Sequence, residues 1–166
     1  MVIQHIKDED GIRHTHQPTT LLDPLPLNNL GTLSDAQGDL DGALAPQSEA
    51  LQIFRDILGP AALDVGVSLN NLGHLLGARL GRWEEALTYH EEALALYLAA
   101  YAAAYGRRHP DIARSLYYIA EAQRALGHQV EARTGYEEAL TLYEHFYGST
   151  DKRTGIVRER LAQEQP

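Results

Sequence analysis

The sequence predicts an all-α solenoid of three stacked helical hairpins closed by a C-terminal capping helix. Three observations carry that prediction. Asn28-Asn29-Leu30-Gly31 returns 42 residues later as Asn70-Asn71-Leu72-Gly73. Alanines follow each apolar anchor at fixed offsets: Ala43 and Ala50 lie 13 and 20 residues after Leu30, and Ala132 and Ala139 do the same after Ile119. Behind Leu72, Ala86 and Ala93 sit one residue further out. Each unit closes on Glu49-Ala50-Leu51, Glu92-Ala93-Leu94 or Glu138-Ala139-Leu140 and then on Gly59, Gly106 or Gly148. A recurrence of this length on helical spacing marks an array, because one hairpin cannot bury its own apolar face.

Composition sets the outer limits. The chain has 166 residues, 44% hydrophobic and 22% charged, enough for one domain or a short array. No apolar run approaches the roughly 18 residues of a membrane span, and the first residues lack the layout of a secretory signal. With no cysteine, disulfides, cysteine–zinc sites and thiol catalysis are excluded. The net charge of −9 argues against nucleic acid, whose binding runs on Lys and Arg. A cytoplasmic location with neither a membrane nor a nucleic-acid partner is expected. Only Lys7 and Lys152 are lysines, and this Ala/Leu/Arg-rich usage suggests a GC-rich bacterial source.

In chain order, residues 1–20 carry no periodicity and are expected to form a mobile N-terminal segment ahead of a repeat domain over 21–166. His5, His14 and His16 make only a weak chelate there, so no metal and no other cofactor is expected. The first unit, about 24–59, is expected to hold helices over 26–37 and 40–58. Pro24 and Pro26 should shorten the first helix, and Pro46 should bend the second by removing a hydrogen bond. The second unit, about 66–106, carries helices over 62–80 and 83–105 and five extra residues. One is expected in the turn before Gly81. Four fall within Tyr97–Tyr105, where they turn a helix by about 400° and lengthen it by ~6 Å, so its apolar face is kept. Tyr97, Tyr101 and Tyr105 then form one stripe, which either packs on the neighbouring helix or protrudes as a docking or self-association surface, as in a homodimer. The third unit, about 113–148, holds helices over 110–126 and 129–147. A capping helix over about 153–164 is half polar, as an end cap must be. Gly38, Gly81 and Gly127 supply the left-handed residue between paired helices. Gly31, Gly73 and Ala120 allow close approach of the axes, and Ala43, Ala86 and Ala132 do the same from the partner helix.

These residues resemble the tetratricopeptide repeat, which pairs Leu-Gly on its first helix with two alanines seven apart on its second. The 42-residue period, Asn-Asn-Leu-Gly and Gly106-Arg107-Arg108-His109-Pro110-Asp111 are similar to the kinesin light chain subtype. Tyr89-His90-Glu91-Glu92-Ala93-Leu94 is also similar to repeats of bacterial signalling ATPases and transcription regulators. The resemblance implies a right-handed superhelix whose first helices line a concave groove that takes peptides. It places Asn28, Thr32, Asn70, His74, Tyr117 and Glu121 toward that groove, followed by Asp35, Gly77 and Arg124, with Arg79 and Arg114 in reach. An Asn amide both donates and accepts, so it suits a peptide backbone, while the arginines favour a carboxylate. The other reading of the asparagines is that they satisfy neighbouring backbone or packing needs. Gln47 replaces the aromatic usual at its position, so the first unit should be poorly consolidated. The lysines of a chaperone-tail clamp are missing.

Catalytic patterns fail one by one. No phosphate-binding glycine loop is present, His90-Glu91-Glu92-Ala93-Leu94 lacks a second His, and Gly66-Val67-Ser68-Leu69-Asn70 lacks the closing Gly of a hydrolase elbow. His90 and Trp83 read as packing residues. The expected function is a non-catalytic module that binds a protein or peptide partner. The alternative is a regulatory fragment of a larger bacterial ATPase or transcription regulator making intramolecular contacts.

Overall fold

Helix-forming runs interrupted by glycines give six helices among the described residues: α1 Leu40–Leu58, α2 Leu63–His74, α3 Trp83–Tyr105, α4 Pro110–Ala125, α5 Gln129–Tyr147 and α6 Lys152–Gln163. The structure, a computed structural model, describes Ile6–Lys7, Arg13–His14 and residues 40–163. The helix expected over 26–37, with Asn28, Thr32 and Asp35, lies outside the described residues, as do His5 and His16. Ile6–Lys7 (β1) and Arg13–His14 (β2) pair antiparallel, Ile6 opposite His14. The sequence pattern assigns no element there.

Each helix packs on the next in the chain, and α2 also touches α4. That stepwise stacking is the solenoid. The paired alanines Ala86, Ala93, Ala132 and Ala139 are wholly buried, letting neighbouring axes close, and Tyr97 and Tyr136 fill the larger gaps. Gly81 and Gly127 both take positive φ, +71° and +83°, between the helices of their hairpins. His109 caps α4: its Nδ1 accepts from the Asp111 amide at 3.3 Å, and Pro110 takes the first helical position. At the other end, α6 buries Thr154 and Val157 against the third hairpin.

One expectation is corrected by the packing. The extra residue before Gly81 is not in the turn. It is absorbed in the helix, where Leu75–Arg79 forms a π turn closed by a bond from the Leu80 amide to the Leu75 carbonyl at 3.1 Å. Gly73 packs on His90, where a Cβ would stand 2.6 Å from Cε1, Ala86 lies under Gly77, and Ala120 meets Gly135 of α5. Pro46 is accommodated within an unbroken α1.

The tyrosine stripe divides. Tyr97 is fully buried, Tyr101 stacks on His109 with centroids 3.6 Å apart, and Tyr105 is 59% exposed at the end of the lengthened α3. Tyr101 also donates to Asp111 at 3.0 Å.

Candidate functional site

On α4, Arg114, Tyr118, Glu121 and Arg124 recur at helical spacing beside α2 and α6. Between them lies a cleft of about 330 Å³, walled by Gly73, His74 and Ala78 from the α2 side, Trp83 and His90 from α3, Tyr117, Tyr118 and Glu121 from α4, and Arg160 from α6. Three of the residues expected in the groove, His74, Tyr117 and Glu121, meet here. The π turn brings Ala78 to the rim, and Gly77 seats the Trp83 ring.

The aromatic wall is continuous. His90 stacks on Tyr118 at 4.9 Å and 24°, and Tyr118 contacts His74 at 5.7 Å and Tyr117 at 5.6 Å. Glu121 is the acidic group of the cleft and is already engaged: Tyr136 donates to it, Arg160 pairs with it at 3.1 Å and Arg124 at 3.5 Å. One carboxylate between two guanidiniums leaves the local balance positive. Burial, with the carboxylate beside it, pushes the Tyr136 phenol well above its usual range.

Asn70 is corrected. It faces the interior, 2% exposed: its Nδ2 donates to Ser115 Oγ at 2.9 Å, and its Oδ1 accepts from His90 Nδ1 at 2.8 Å. Its amide therefore ties units two and three together and is not open to a peptide backbone. Burial, and secondarily the His74 charge, lowers the His90 pKa to about 3. His90 is accordingly a neutral imidazole in this network.

The arginines part company. Arg114 pairs with Asp111 at 2.9 Å and neighbours Tyr97 and Tyr118 without lining the cleft. Burial raises the Tyr97 pKa to about 12. Arg124 reaches the cleft through Glu121. Arg79, exposed at the end of the π turn, is not among the lining residues. Trp83, Tyr118, His90, Ala78 and Arg160 were not anticipated as lining residues. Arg160 had a signal: it directly precedes Leu161, the anchor of the capping helix, just as Tyr118 precedes Ile119.

A second, shallower recess of about 260 Å³ lies between the α3–α4 connection and α5, with Ile112, Leu116 and Leu142 at its floor and Arg107 and Arg108 at its rim. Among the described residues, no group of three His, Asp or Glu side chains is arranged to hold a metal, and no helix is long and apolar enough to cross a membrane.

Comparison with known proteins agrees with this architecture. A sequence model of the tetratricopeptide repeat matches residues 24–99 and again 90–145. Among solved structures, the crystal structure of BtubC (BKLC) from P. vanneervenii is similar in fold, with a TM-score of 0.75 at 18% sequence identity. The match covers 90% of this chain and 58% of that one, so the chain spans little more than half the length of its structural neighbour.

Proposed function

Because the chain belongs to the tetratricopeptide-repeat family, whose repeats form protein–protein interaction modules, we propose that it is a non-catalytic scaffold that holds a peptide or partner segment along the groove formed by α2, α4 and α6. The cleft between units two and three carries this reading. Its volume of about 330 Å³ suits one large side chain, and its walls mix aromatic faces (Trp83, Tyr117, Tyr118) with polar groups (His74, His90, Glu121, Arg160) that could orient it. His74, Tyr117 and Glu121 supply the contacts, and Arg124 and Arg160 favour a carboxylate further along the bound segment. Arg79 and Arg114 flank the path. Asn28 and Thr32 would extend it into the first unit.

A peptide array followed by fluorescence anisotropy on the peptides captured tests the proposal. Tyr117→Ala and Ala78→Leu are expected to weaken binding by about tenfold or more. Ala78→Leu, at an exposed position, should leave the melting temperature near that of the parent, whereas Tyr117→Ala also removes packing against Tyr118 and Tyr136 and should lower it. Peptides bound equally by the parent and both variants would place the interaction elsewhere. Asn70→Ala is unsuitable as a binding probe, because it cuts a buried network.

A further inference from the structure

His90 is 2% exposed, yet it lines the cleft. Its two nitrogens have different fates. Nδ1 lies 2.8 Å from Asn70 Oδ1, and the Asn70 amide is oriented by its bond to Ser115, so Nδ1 carries the hydrogen. Nε2 is then left with a lone pair. No hydrogen bond reaches it from any described residue. Gly73 seats the ring against the α2 backbone, since a Cβ there would stand 2.6 Å from Cε1 and 2.8 Å from Nε2, and the imidazole held in this way lines the cleft. Tyr118, stacked on the imidazole, fixes the ring plane. The carboxylate of the cleft, Glu121, is already held by Tyr136, Arg124 and Arg160.

We propose that His90 is the specificity-determining residue of the cleft: its Nε2 accepts a hydrogen bond from a neutral O–H or N–H at the tip of an aromatic side chain lying against Tyr118. An isostere without the donor leaves a buried acceptor unpaired, and a carboxylate would oppose its lone pair to that of the nitrogen. Burial keeps the imidazole from taking a proton instead. The inference rests on the peptide-groove reading only for the origin of the side chain. Gly73 and Asn70 act as positioning residues, one by leaving space and one by fixing the tautomer.

The test uses the full chain with ¹⁵N-labelled histidine and two probes of equal shape, p-cresol and p-xylene. Long-range ¹H–¹⁵N spectra read Nε2 directly. In the absence of probe, the His90 Nε2 resonance should lie at the position of an unprotonated ring nitrogen. Adding p-cresol should move it upfield, as hydrogen bonding to that nitrogen requires. The phenol should bind about tenfold tighter than p-xylene, the gap expected from one hydrogen bond to a buried acceptor. Ala78→Leu, at an exposed position on the rim, should abolish both interactions without unfolding the chain. A protonated Nε2 in the unliganded protein, an unmoved resonance, equal affinities or no binding of either probe overturns the proposal. Peptide binding weakened by Tyr117→Ala, alongside equal probe affinities, would leave the groove reading standing and this one refuted. Phenol preference without any peptide ligand would do the reverse.

Discussion

At the scale of single residues, Asn70 and His90 show how a polar pair is used inside a mostly apolar stack. Removing the Asn70 amide would leave His90 Nδ1–H and Ser115 Oγ without the partner each has in the interior. Asn70→Ala is therefore expected to cost about 2–3 kcal/mol, read as a lower urea midpoint at unchanged slope. The network also has a pH signature. The folded pKa of His90 is depressed to about 3 from an unfolded value of 6.5, so the unfolded chain binds the extra proton. Stability from this group is complete above the unfolded value and declines as the pH falls toward the folded one. Between neutral pH and about pH 5 the parent should lose about 2 kcal/mol more than His90→Gln does. Equal losses in urea melts at the two pH values would mean that His90 titrates normally. His74, Tyr117 and Glu121 lie beside the cleft, but Asn70, at the same register position as Tyr117, turns inward. The difference lies in the neighbours: Ser115 and His90 close over Asn70, whereas Tyr117 meets Arg160 of α6 at the wall of the cleft. Spacing within one helix carries no information about what the next helix presents.

At the scale of elements, helix periodicity reports where residues face and how many there are, not where the backbone absorbs an extra one. The ends of α3 were legible at Trp83 and Tyr105 because Gly81 and Gly106 bracket an uninterrupted helical pattern. The surplus residue of unit two was countable but not locatable, and it widens a helix turn at Leu75–Arg79. Deleting Ala78 should restore ordinary helical bonding while withdrawing one wall of the cleft. Far-ultraviolet circular dichroism is expected to stay close to that of the parent as p-cresol binding disappears. In α1, Gln47 Oε1 is buried with no hydrogen-bond partner. Gln47→Leu should raise stability by about 1 kcal/mol, since it removes an unpaired polar atom at similar volume. Pro46 and Gln47 together also predict faster amide exchange in α1 than in α4 and α5, and equal protection would show that the proline costs the helix little.

At the scale of the whole molecule, a solenoid has no single core, so each helix depends on its neighbours and the end of the stack is secured by what closes it. Here α6 closes it with few apolar groups. Thr154 donates to the Gly148 carbonyl at 2.9 Å, Val157 is 1% exposed, Arg158 pairs with Glu144 at 2.7 Å, and the Arg153 guanidinium lies 3.3 Å over the Tyr147 ring. Arg160 adds a longer reach, bridging to Glu121 on α4 and so coupling the cap to the cleft. Truncation after Gly148 would expose the α5 face beneath α6 and remove one of the two cations facing Glu121. The expected loss is about 2–4 kcal/mol, dominated by reexposed apolar area because the ion pairs are partly solvated. In a nearest-neighbour array this loss should not be shared evenly. Hydrogen exchange ought to quicken most in α5, less in α4 and least in α1, with p-cresol affinity falling alongside because Arg160 is gone from the cleft wall. A uniform rise in exchange along the chain would instead mean that the hairpins unfold as one unit, with interfaces strong enough to hide the linear order of the repeats.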